Sequence, residues 1–569
     1  MRIAFVAVWL AFVVCAPQSA LARAEPADGT VFIRLIGSIR VLSGGDEDWQ
    51  KKILLDLPHV EVGTGSGFVI SAQGWVITNH HVISGAKLNG TIEGVQVEIA
   101  IDVERIEVVI PGNAAGFNTI PRRFTASLAA EDPELDLAVL YISAPDLPYV
   151  PLGDSDAVAA GDPVSAMGYP FGSMLEIGKP STADTVPSVT TSAGAISALR
   201  RSDNGEIRYV QTSAQLNPGN SGGPILDQDG YAVAVAQLKL TGGSGVGFGV
   251  PINLVKGFLK RHGLDQSLTA TLLELGSVLD AAGKGVRLRV PDGFQDLSPV
   301  RLRVEAPAAD GSLALRIDRL ATPWTLERLE TALQTGEALE RFQASGSARR
   351  SSRADKGRRV VSGFVKGNEP ATNRELSLVY SLVDLGREKV VARYVGSAEA
   401  VALNRSVLQA SLADLEVTPL LTDDVARTSD ASLQTIAASI PGSPAIATPS
   451  GWIVEAGMPS TCAGLTTPMA ALSTSPAGDF TVSFRAAWWP NASIDVRRAA
   501  RGCAPQAGTL GEASYAFRLP SWGSTYLAQG VFVAPPNGGL WQLEMIVPET
   551  KGNFVTALFD AWVNANGRQ

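Results

Sequence analysis

Short apolar runs separated by glycine-rich turns over residues 30–262 constrain the fold of this chain more than any other feature of its sequence. Short strands at regular spacing, bounded by turn residues, are typical of all-β sandwiches and barrels. We therefore predict mainly β structure for this segment. The clearest runs are GTGSGFVI (63–70), GWVITN (74–79), DLAVLYI (136–142) and YAVAVAQL (231–238).

The segment ends in a predicted helix, VPINLVKGFLKRHG (250–263), which has a proline near its start and Gly263 after it. The chain has 569 residues, and at about 100–200 residues per domain this length suggests three or four domains. The helix at 250–263 is expected to close the first of them.

Two further domains are predicted downstream, both of α+β type. In residues 265–415, strand-like runs accompany helical patterns at 325–342 and 397–414. The basic stretch at 349–359 is expected to form a solvated hairpin loop, and a patch for a binding partner is the alternative. Residues 416–449 are rich in Thr, Ser, Ala and Pro and are predicted to be a linker.

Residues 450–569 form the last predicted domain, which carries six of the ten tryptophans. Large aromatic side chains fill cores as readily as binding sites. We expect a small aromatic core, and a binding surface for carbohydrate or peptide remains the alternative. The six residues are Trp452, Trp488, Trp489, Trp522, Trp541 and Trp562.

Residues 1–24 read as a secretory signal, with Arg2 followed by 12 apolar residues and an Ala-Leu-Ala cleavage pattern at 20–22. The apolar run falls short of the ~20 residues that span a bilayer, and no later run is long enough. The mature protein is therefore expected to be exported, periplasmic or secreted, without a stable membrane span. Loss of Cys15 with the signal leaves Cys462 and Cys503, and an oxidising compartment favours one disulfide between them.

Charge and composition limit the kinds of partner and cofactor that this chain can bind. The formal net charge of −9 argues against nucleic acid, since phosphate contacts need an excess of Lys and Arg. Four histidines and three cysteines leave little room for a zinc cluster of several ligands. No metal or organic cofactor is expected.

Three motifs supply the residues of a nucleophilic catalyst in the order His, Asp, Ser. His80 and His81 follow a strand, Asp136 precedes one, and Ser221 lies in a glycine-rich turn. A serine hydroxyl is a weak nucleophile that needs an imidazole within hydrogen-bond reach, and the imidazole needs a carboxylate to fix its tautomer.

Glycines beside the serine have a second role. The backbone around Gly219, Asn220 and Ser221 can turn so that amide groups point at one spot. Amides of Gly219 and Ser221 would then stabilise a developing oxyanion. This turn is therefore predicted to form an oxyanion hole.

Together these motifs resemble the trypsin-like serine protease domain of the HtrA/Deg group. The family order GSGF-I, TNxHV, D-A-L and GNSGGP stands here at 65–70, 78–83, 136–140 and 219–224. The resemblance covers about residues 60–260 and implies a double β-barrel and a serine endopeptidase. It also implies that His81, which directly precedes the Val of TNxHV, is the general base rather than His80.

The resemblance also locates a substrate pocket. It puts Gln215 at the pocket floor, with walls from Ala236, Gln237, Leu238 and Val246. The floor carries no Asp, so cleavage after Lys or Arg is not expected. A neutral pocket fits small or medium aliphatic side chains.

The chain departs from the family in two places. Residues 88–122 look inserted, and their alternating apolar residues predict an extra hairpin. No peptide-binding PDZ module is recognisable after residue 262. The leading hypothesis is a serine endopeptidase acting on protein or peptide substrates in quality control or processing. The alternative is a catalytically silent or regulatory binding protein on a protease scaffold.

Overall fold

The computed structural model divides the chain into two compact units, Met1–Leu272 and Leu273–Gln569, which are described separately. The residues described are 25–43, 52–92, 95–111, 121–144, 146–170, 187–237, 247–281, 284–297, 303–308, 310–322, 324–335, 342–345, 348–370, 372–386, 388–418, 433–436, 446–449, 453–457, 470–474, 483–489, 509–510, 514–521, 524–533, 540–548 and 559–565. The predicted signal at 1–24 and both mature cysteines, Cys462 and Cys503, lie outside them. The signal and the disulfide therefore stay predictions.

The first unit is mainly β, as the sequence predicts. Its strands are β1 Thr30–Ser43, β2 Lys52–Ser71, β3 Trp75–Thr78, β4 Ala86–Ile92, β5 Val95–Ile110, β6 Arg122–Asp132, β7 Leu137–Tyr141, β8 Pro163–Gly168, β9 Thr190–Arg201, β10 Ile207–Thr212, β11 Pro224–Asp227, β12 Ala232–Gln237 and β13 Gly247–Pro251. Its helices are α1 Pro26–Gly29, α2 His80–Ile83 and α3 Ile252–Arg261.

These strands close into two six-stranded barrels. The first barrel runs β1-β2-β3-β7-β6-β5 and closes because β5 pairs back onto β1, while β4 extends the sheet from β5. The second barrel runs β10-β13-β12-β11-β8-β9. The double β-barrel predicted from the resemblance is confirmed.

Each barrel has its own apolar core. Residues such as Val31, Val69 and Leu140 fill the first barrel, and Val164, Val210 and Ile225 fill the second. Buried β-branched and small apolar side chains fit the tight interior of a small barrel. Helix α3 then buries Ile252 and Phe258 completely, as the helical spacing at 250–263 predicts.

The inserted stretch takes part in a hairpin, but the alternating apolar residues from 95 to 110 form one continuous strand, β5, rather than the two arms. Strand β4 pairs antiparallel with the first half of β5, from Ala86 opposite Ile101 to Ile92 opposite Val95. Beyond the barrel, β1 continues between β2 and β5. The first barrel therefore extends into a four-stranded ribbon, on which Leu55 and Leu88 are about half exposed.

In the second unit, strands and helices mix as the α+β prediction requires. The strands as far as residue 417 are β14 Leu275–Ala281, β15 Val286–Pro291, β16 Arg303–Pro307, β17 Leu313–Ala321, β18 Gln343–Ala344, β19 Arg349–Asp355, β20 Arg358–Asn368, β21 Glu375–Asp384, β22 Glu388–Ser397 and β23 Glu416–Val417. The helices are α4 Leu326–Gln334, α5 Ala398–Leu403 and α6 Arg405–Ala413. A sheet ordered β16-β17-β22-β21-β20-β18, with β19 also on β20, carries most of these strands.

Two local predictions in this region need correction. The stretch at 349–359 is a mostly exposed hairpin, as predicted, but its arms are the paired strands β19 and β20 rather than a loop, and they join at a turn of Lys356 and Gly357, both with positive φ. The helix predicted at 397–414 is two helices, because Asn404 interrupts it. The Asn404 Nδ2 donates to the Ala400 carbonyl, and such side chains compete with helical hydrogen bonds.

The remaining strands are β24 Leu433–Ile436, β25 Ile446–Pro449, β26 Ile453–Gly457, β27 Ala470–Thr474, β28 Ser483–Trp489, β29 Thr509–Leu510, β30 Ser514–Ser521, β31 Ser524–Val533 and β32 Leu540–Pro548. Strands β26 to β32 form one antiparallel sheet. Trp488, Trp541 and Trp562 are buried together in one core cluster, which supports the aromatic-core interpretation. Strands β24 and β25, which pair with each other, lie inside the predicted linker 416–449. The domain boundaries stay a prediction.

Candidate active site

His81 lies in the one-turn helix α2, directly after strand β3 of the first barrel. Its ring Nδ1 is 2.7 Å from Asp136 Oδ2, and its backbone amide donates to Asp136 Oδ1 at 2.9 Å. One residue therefore engages both oxygens of the carboxylate. About half of the His81 side chain is exposed (47%), whereas the Asp136 side chain is mostly covered (15%).

Asp136 lies between β6 and β7 with φ 56°, in the left-handed region that Asp tolerates better than most residues. The Asn79 Nδ2 donates to the Asp136 carbonyl at 2.8 Å and holds this backbone in place. Burial raises the pKa of the Asp136 carboxyl, but the hydrogen bonds from His81 and Gln237 together lower it by more than burial raises it. The pKa of Asp136 therefore lies below its ordinary value. The carboxylate is therefore charged at neutral pH.

Gln237, at the end of β12 in the second barrel, is the other donor to this carboxylate. Its Nε2 donates to Asp136 Oδ2 at 2.6 Å, and the side chain is buried. The resemblance places Gln237 in the wall of a substrate pocket. The structure instead directs its amide at Asp136, so the second barrel contributes a contact that sequence reasoning missed.

Ser221 is buried, three residues before the start of strand β11, in a loop that begins with a tight turn. Pro218 and Gly219 occupy the centre of that turn, and the Asn220 amide closes it by donating to the Asn217 carbonyl at 3.0 Å. Gly219 has φ 99°, which glycine adopts without a steric penalty.

The turn reduces the number of backbone amides that could form the predicted oxyanion hole. Because the Asn220 backbone amide is used within the turn, it is not available to an oxyanion. The Gly219 amide donates no hydrogen bond within the described residues. Gly219 and Ser221 therefore remain the candidate amides.

Gly222 shows how closely the loop that carries Ser221 (residues 217–223, the serine loop) approaches the first barrel. It has φ 86°, and a Cβ at this position would lie 2.1 Å from the Ser66 carbonyl oxygen and 2.3 Å from the Thr78 hydroxyl. Thr78 and Asn79 lead directly into His80 and His81. The structure thus brings the loop that carries Ser221 against the strand end that carries His81.

The other three histidines have different surroundings. His80 Nδ1 lies 3.1 Å from a Glu131 carboxylate oxygen, and the exposed His59 pairs with Glu104. His262 packs edge-on against the Phe258 ring. His81 is thus the histidine that faces Asp136, as the resemblance implies.

The predicted pocket is only partly within the described residues. Gln215 is exposed, and the Ala236 side chain packs into the core of the second barrel. Leu238 and Val246 lie outside the described residues. The pocket and its preference for aliphatic side chains stay predictions. Within the part of the chain described, no cluster of three His, Cys, Asp or Glu residues could hold a metal ion.

Residues 65–235 match the sequence family "Trypsin-like peptidase domain". A "Probable periplasmic serine endoprotease DegP-like" of Marinomonas sp. (strain MWYL1) is 36% identical over 192 residues, 33% of this chain and 33% of the relative. The chain therefore carries an HtrA-type trypsin-like serine protease domain. A relative of the same name in Chlamydia muridarum is 32% identical over 198 residues, 34% of this chain and 32% of its own length.

The HtrA-type domain is also similar to "Serine protease HTRA2, mitochondrial" of Drosophila pseudoobscura pseudoobscura, at 33% identity over 208 residues, 36% of this chain and 40% of the relative. The chain thus spans well under half the length of these relatives. Each of these similarities covers about a third of this chain. In the described residues, no helix is both long and apolar enough to cross a membrane.

Proposed function

We propose that this chain is an exported serine endopeptidase that hydrolyses peptide bonds of protein substrates in the cell envelope. The observation that carries the proposal is the pairing of His81 Nδ1 with Asp136 Oδ2 at 2.7 Å. Such a pairing fixes the imidazole so that its Nε2 is available for proton transfer. The signal-like residues 1–24 and the word "periplasmic" in the names of relatives support export.

In the proposed mechanism, Ser221 Oγ attacks the peptide carbonyl while His81 Nε2 accepts its proton. Asp136 holds the imidazole in the required tautomer and stabilises the imidazolium that forms. The amides of Gly219 and Ser221 stabilise the tetrahedral oxyanion. His81 then protonates the leaving amine, and water hydrolyses the acyl-enzyme by the same steps.

A fluorophosphonate probe tests this assignment directly, because it reacts with a serine that is activated by a neighbouring base. We expect one covalent adduct, located on Ser221 by mass spectrometry of the labelled full-length chain. Labelling should vanish after denaturation in urea and in a His81→Ala variant. A folded wild-type chain that resists labelling and does not cleave casein would favour the silent binding protein instead.

Gln237 offers a further test, which separates a positioning role from a role as pocket wall. Gln237→Leu removes a hydrogen bond to a charged group, and such bonds contribute about 1.5–3 kcal/mol. We therefore expect kcat to fall roughly 10-fold or more with KM nearly unchanged. The kcat of Gln237→Glu should be lower still, because this substitution places a second carboxylate beside Asp136.

Gln211→Leu is the matched control for Gln237. It removes a glutamine in the same barrel whose side-chain carbonyl accepts from Arg200, and kcat should stay near the wild-type value. A pocket-wall role for Gln237 predicts the opposite pattern, with KM and the cleavage preference altered and kcat retained. Steady-state kinetics on a fluorogenic peptide distinguish the two.

A further inference from the structure

Ser66, in the GSGF segment of β2, is completely buried and uses all of its hydrogen-bonding groups. Its amide donates to the Ser221 carbonyl at 3.0 Å, and its Oγ donates to the Gly219 carbonyl at 2.6 Å. The same Oγ accepts from the Tyr169 amide at 2.9 Å. Its carbonyl accepts from the Thr78 hydroxyl at 2.7 Å. A hydroxyl engaged as both donor and acceptor is held in one orientation.

The bond to Gly219 restrains the first peptide unit of the serine loop. The Gly219 carbonyl and the Asn220 amide belong to one planar unit. Ser66 Oγ holds its carbonyl end, and the Asn217 carbonyl holds its amide end. This unit shares the Gly219 Cα with the unit that carries the Gly219 amide, so holding it in place restrains that amide from one side.

The bond to Ser221 restrains a second unit, on the other side of the nucleophile. The Ser221 carbonyl accepts from the Ser66 amide, and the Gly222 amide of the same unit donates to the Ala236 carbonyl at 2.9 Å. Ser66 thus holds the peptide units on both sides of the one that contains the Ser221 amide. One residue of the first barrel therefore restrains the backbone of a loop in the second.

We propose that Ser66 is a positioning residue that sets the directions of the Gly219 and Ser221 amides for oxyanion binding. The inference rests on the proposed function, because it concerns the same reaction. Ser66 does not touch the reacting atoms in this scheme. Without its hydroxyl, the Gly219 carbonyl and the Tyr169 amide lose a buried partner, and the 219–220 peptide unit is released to seek another.

The test is Ser66→Ala in the full-length chain, with kinetics on a peptide that the wild type cleaves. Loss of an oxyanion donor costs roughly 100- to 1000-fold in kcat. In Ser66→Ala the amides remain but are misdirected, so we expect a smaller loss, about 10- to 100-fold in kcat. KM should change by no more than about threefold. Inhibition by a peptide boronate, which forms a tetrahedral adduct, should weaken by a similar factor, since such adducts mimic the transition state.

Thr30→Val is the matched control. Thr30 is also completely buried in the first barrel, and its hydroxyl donates to the Pro26 carbonyl at 3.0 Å rather than to a residue of the serine loop. Its kcat and boronate affinity should stay within about twofold of wild type. An equal loss in Thr30→Val would reduce Ser66 to a general structural role and overturn the proposal.

Ser66→Cys keeps the test decisive if the alanine variant does not fold. A thiol is similar in size but donates a weaker hydrogen bond, so kcat should lie between wild type and Ser66→Ala. A folded cysteine or alanine variant with wild-type kcat and boronate affinity would refute the role of Ser66. That outcome leaves wild-type cleavage and Ser221 labelling intact, whereas failure of the proposed function removes both.

Discussion

Replacing Ser221 with alanine is expected to lower kcat for a peptide substrate by about 10⁴-fold or more, because the nucleophile is lost while the fold is retained. The side chain is buried, and alanine removes a single oxygen without adding volume. The circular dichroism spectrum and the thermal unfolding midpoint should therefore stay close to wild type. Casein digestion and fluorogenic peptide cleavage both measure the effect.

Ser202→Ala is the control for the Ser221 variant. Ser202 lies half-buried in the turn between β9 and β10, where its hydroxyl bonds with Asn204. Its activity should equal that of wild type. If Ser221→Ala retained a tenth of wild-type cleavage in a preparation free of contaminating protease, another residue would have to be the nucleophile.

Asp136→Asn is expected to lower kcat at neutral pH by about 10⁴-fold, as the loss of the orienting carboxylate does in such triads. The neutral amide cannot accept from His81 Nδ1, the His81 amide and Gln237 Nε2 together, because its nitrogen is a donor. The imidazole then loses the tautomer that leaves Nε2 free to accept a proton. Steady-state kinetics at pH 7 check this, and a loss below about 10-fold would contradict the proposed role.

Asp136 should also affect stability in a pH-dependent manner. The pKa of Asp136 is lowered in the folded protein, so the charged carboxylate stabilises the fold at pH values above the ordinary pKa of Asp. That contribution is lost as the pH falls through the lowered pKa. The thermal midpoint of wild type should exceed that of Asp136→Asn most clearly near neutral pH, and the gap should narrow in acid.

Asp132→Asn is the control for both effects. Asp132 begins the same turn, and its carboxylate accepts from the amides of Glu134 and Leu135 without touching His81. It should leave kcat close to wild type. A drop in kcat similar to that of Asp136→Asn would mean that the turn, rather than the orienting carboxylate, controls catalysis.

Much of the candidate site could be predicted from sequence because its chemistry is local. His81 and Asp136 each stand in a short motif beside a strand, and the order of the motifs indicated which residues meet. The double β-barrel followed from the same motifs. Strand β5 was predictable as well, because alternating apolar residues specify a strand without reference to the rest of the chain, whereas its pairing with β4 was not.

Contacts between the barrels were not predictable in this way. Neighbours on a strand point to opposite faces, but whether Ala236 or Gln237 meets the first barrel depends on how the strands close and the barrels dock. Ser66 is a similar case, since the Gly219 carbonyl it contacts lies 153 residues further along the chain. The break at Asn404 is missed because a helical pattern does not show where a side chain displaces the backbone.

The division of the site between two barrels has a consequence for how such a chain is made. His81 and Asp136 belong to the first barrel, whereas Ser221 and Gln237 belong to the second. Under the proposed mechanism, a growing chain that has completed only the first barrel has the general base but lacks the nucleophile. Under that mechanism, cleavage is therefore withheld until synthesis has passed β13, which completes the second barrel at Pro251, and both barrels have docked. This order protects the machinery that makes and delivers the protein from premature cleavage.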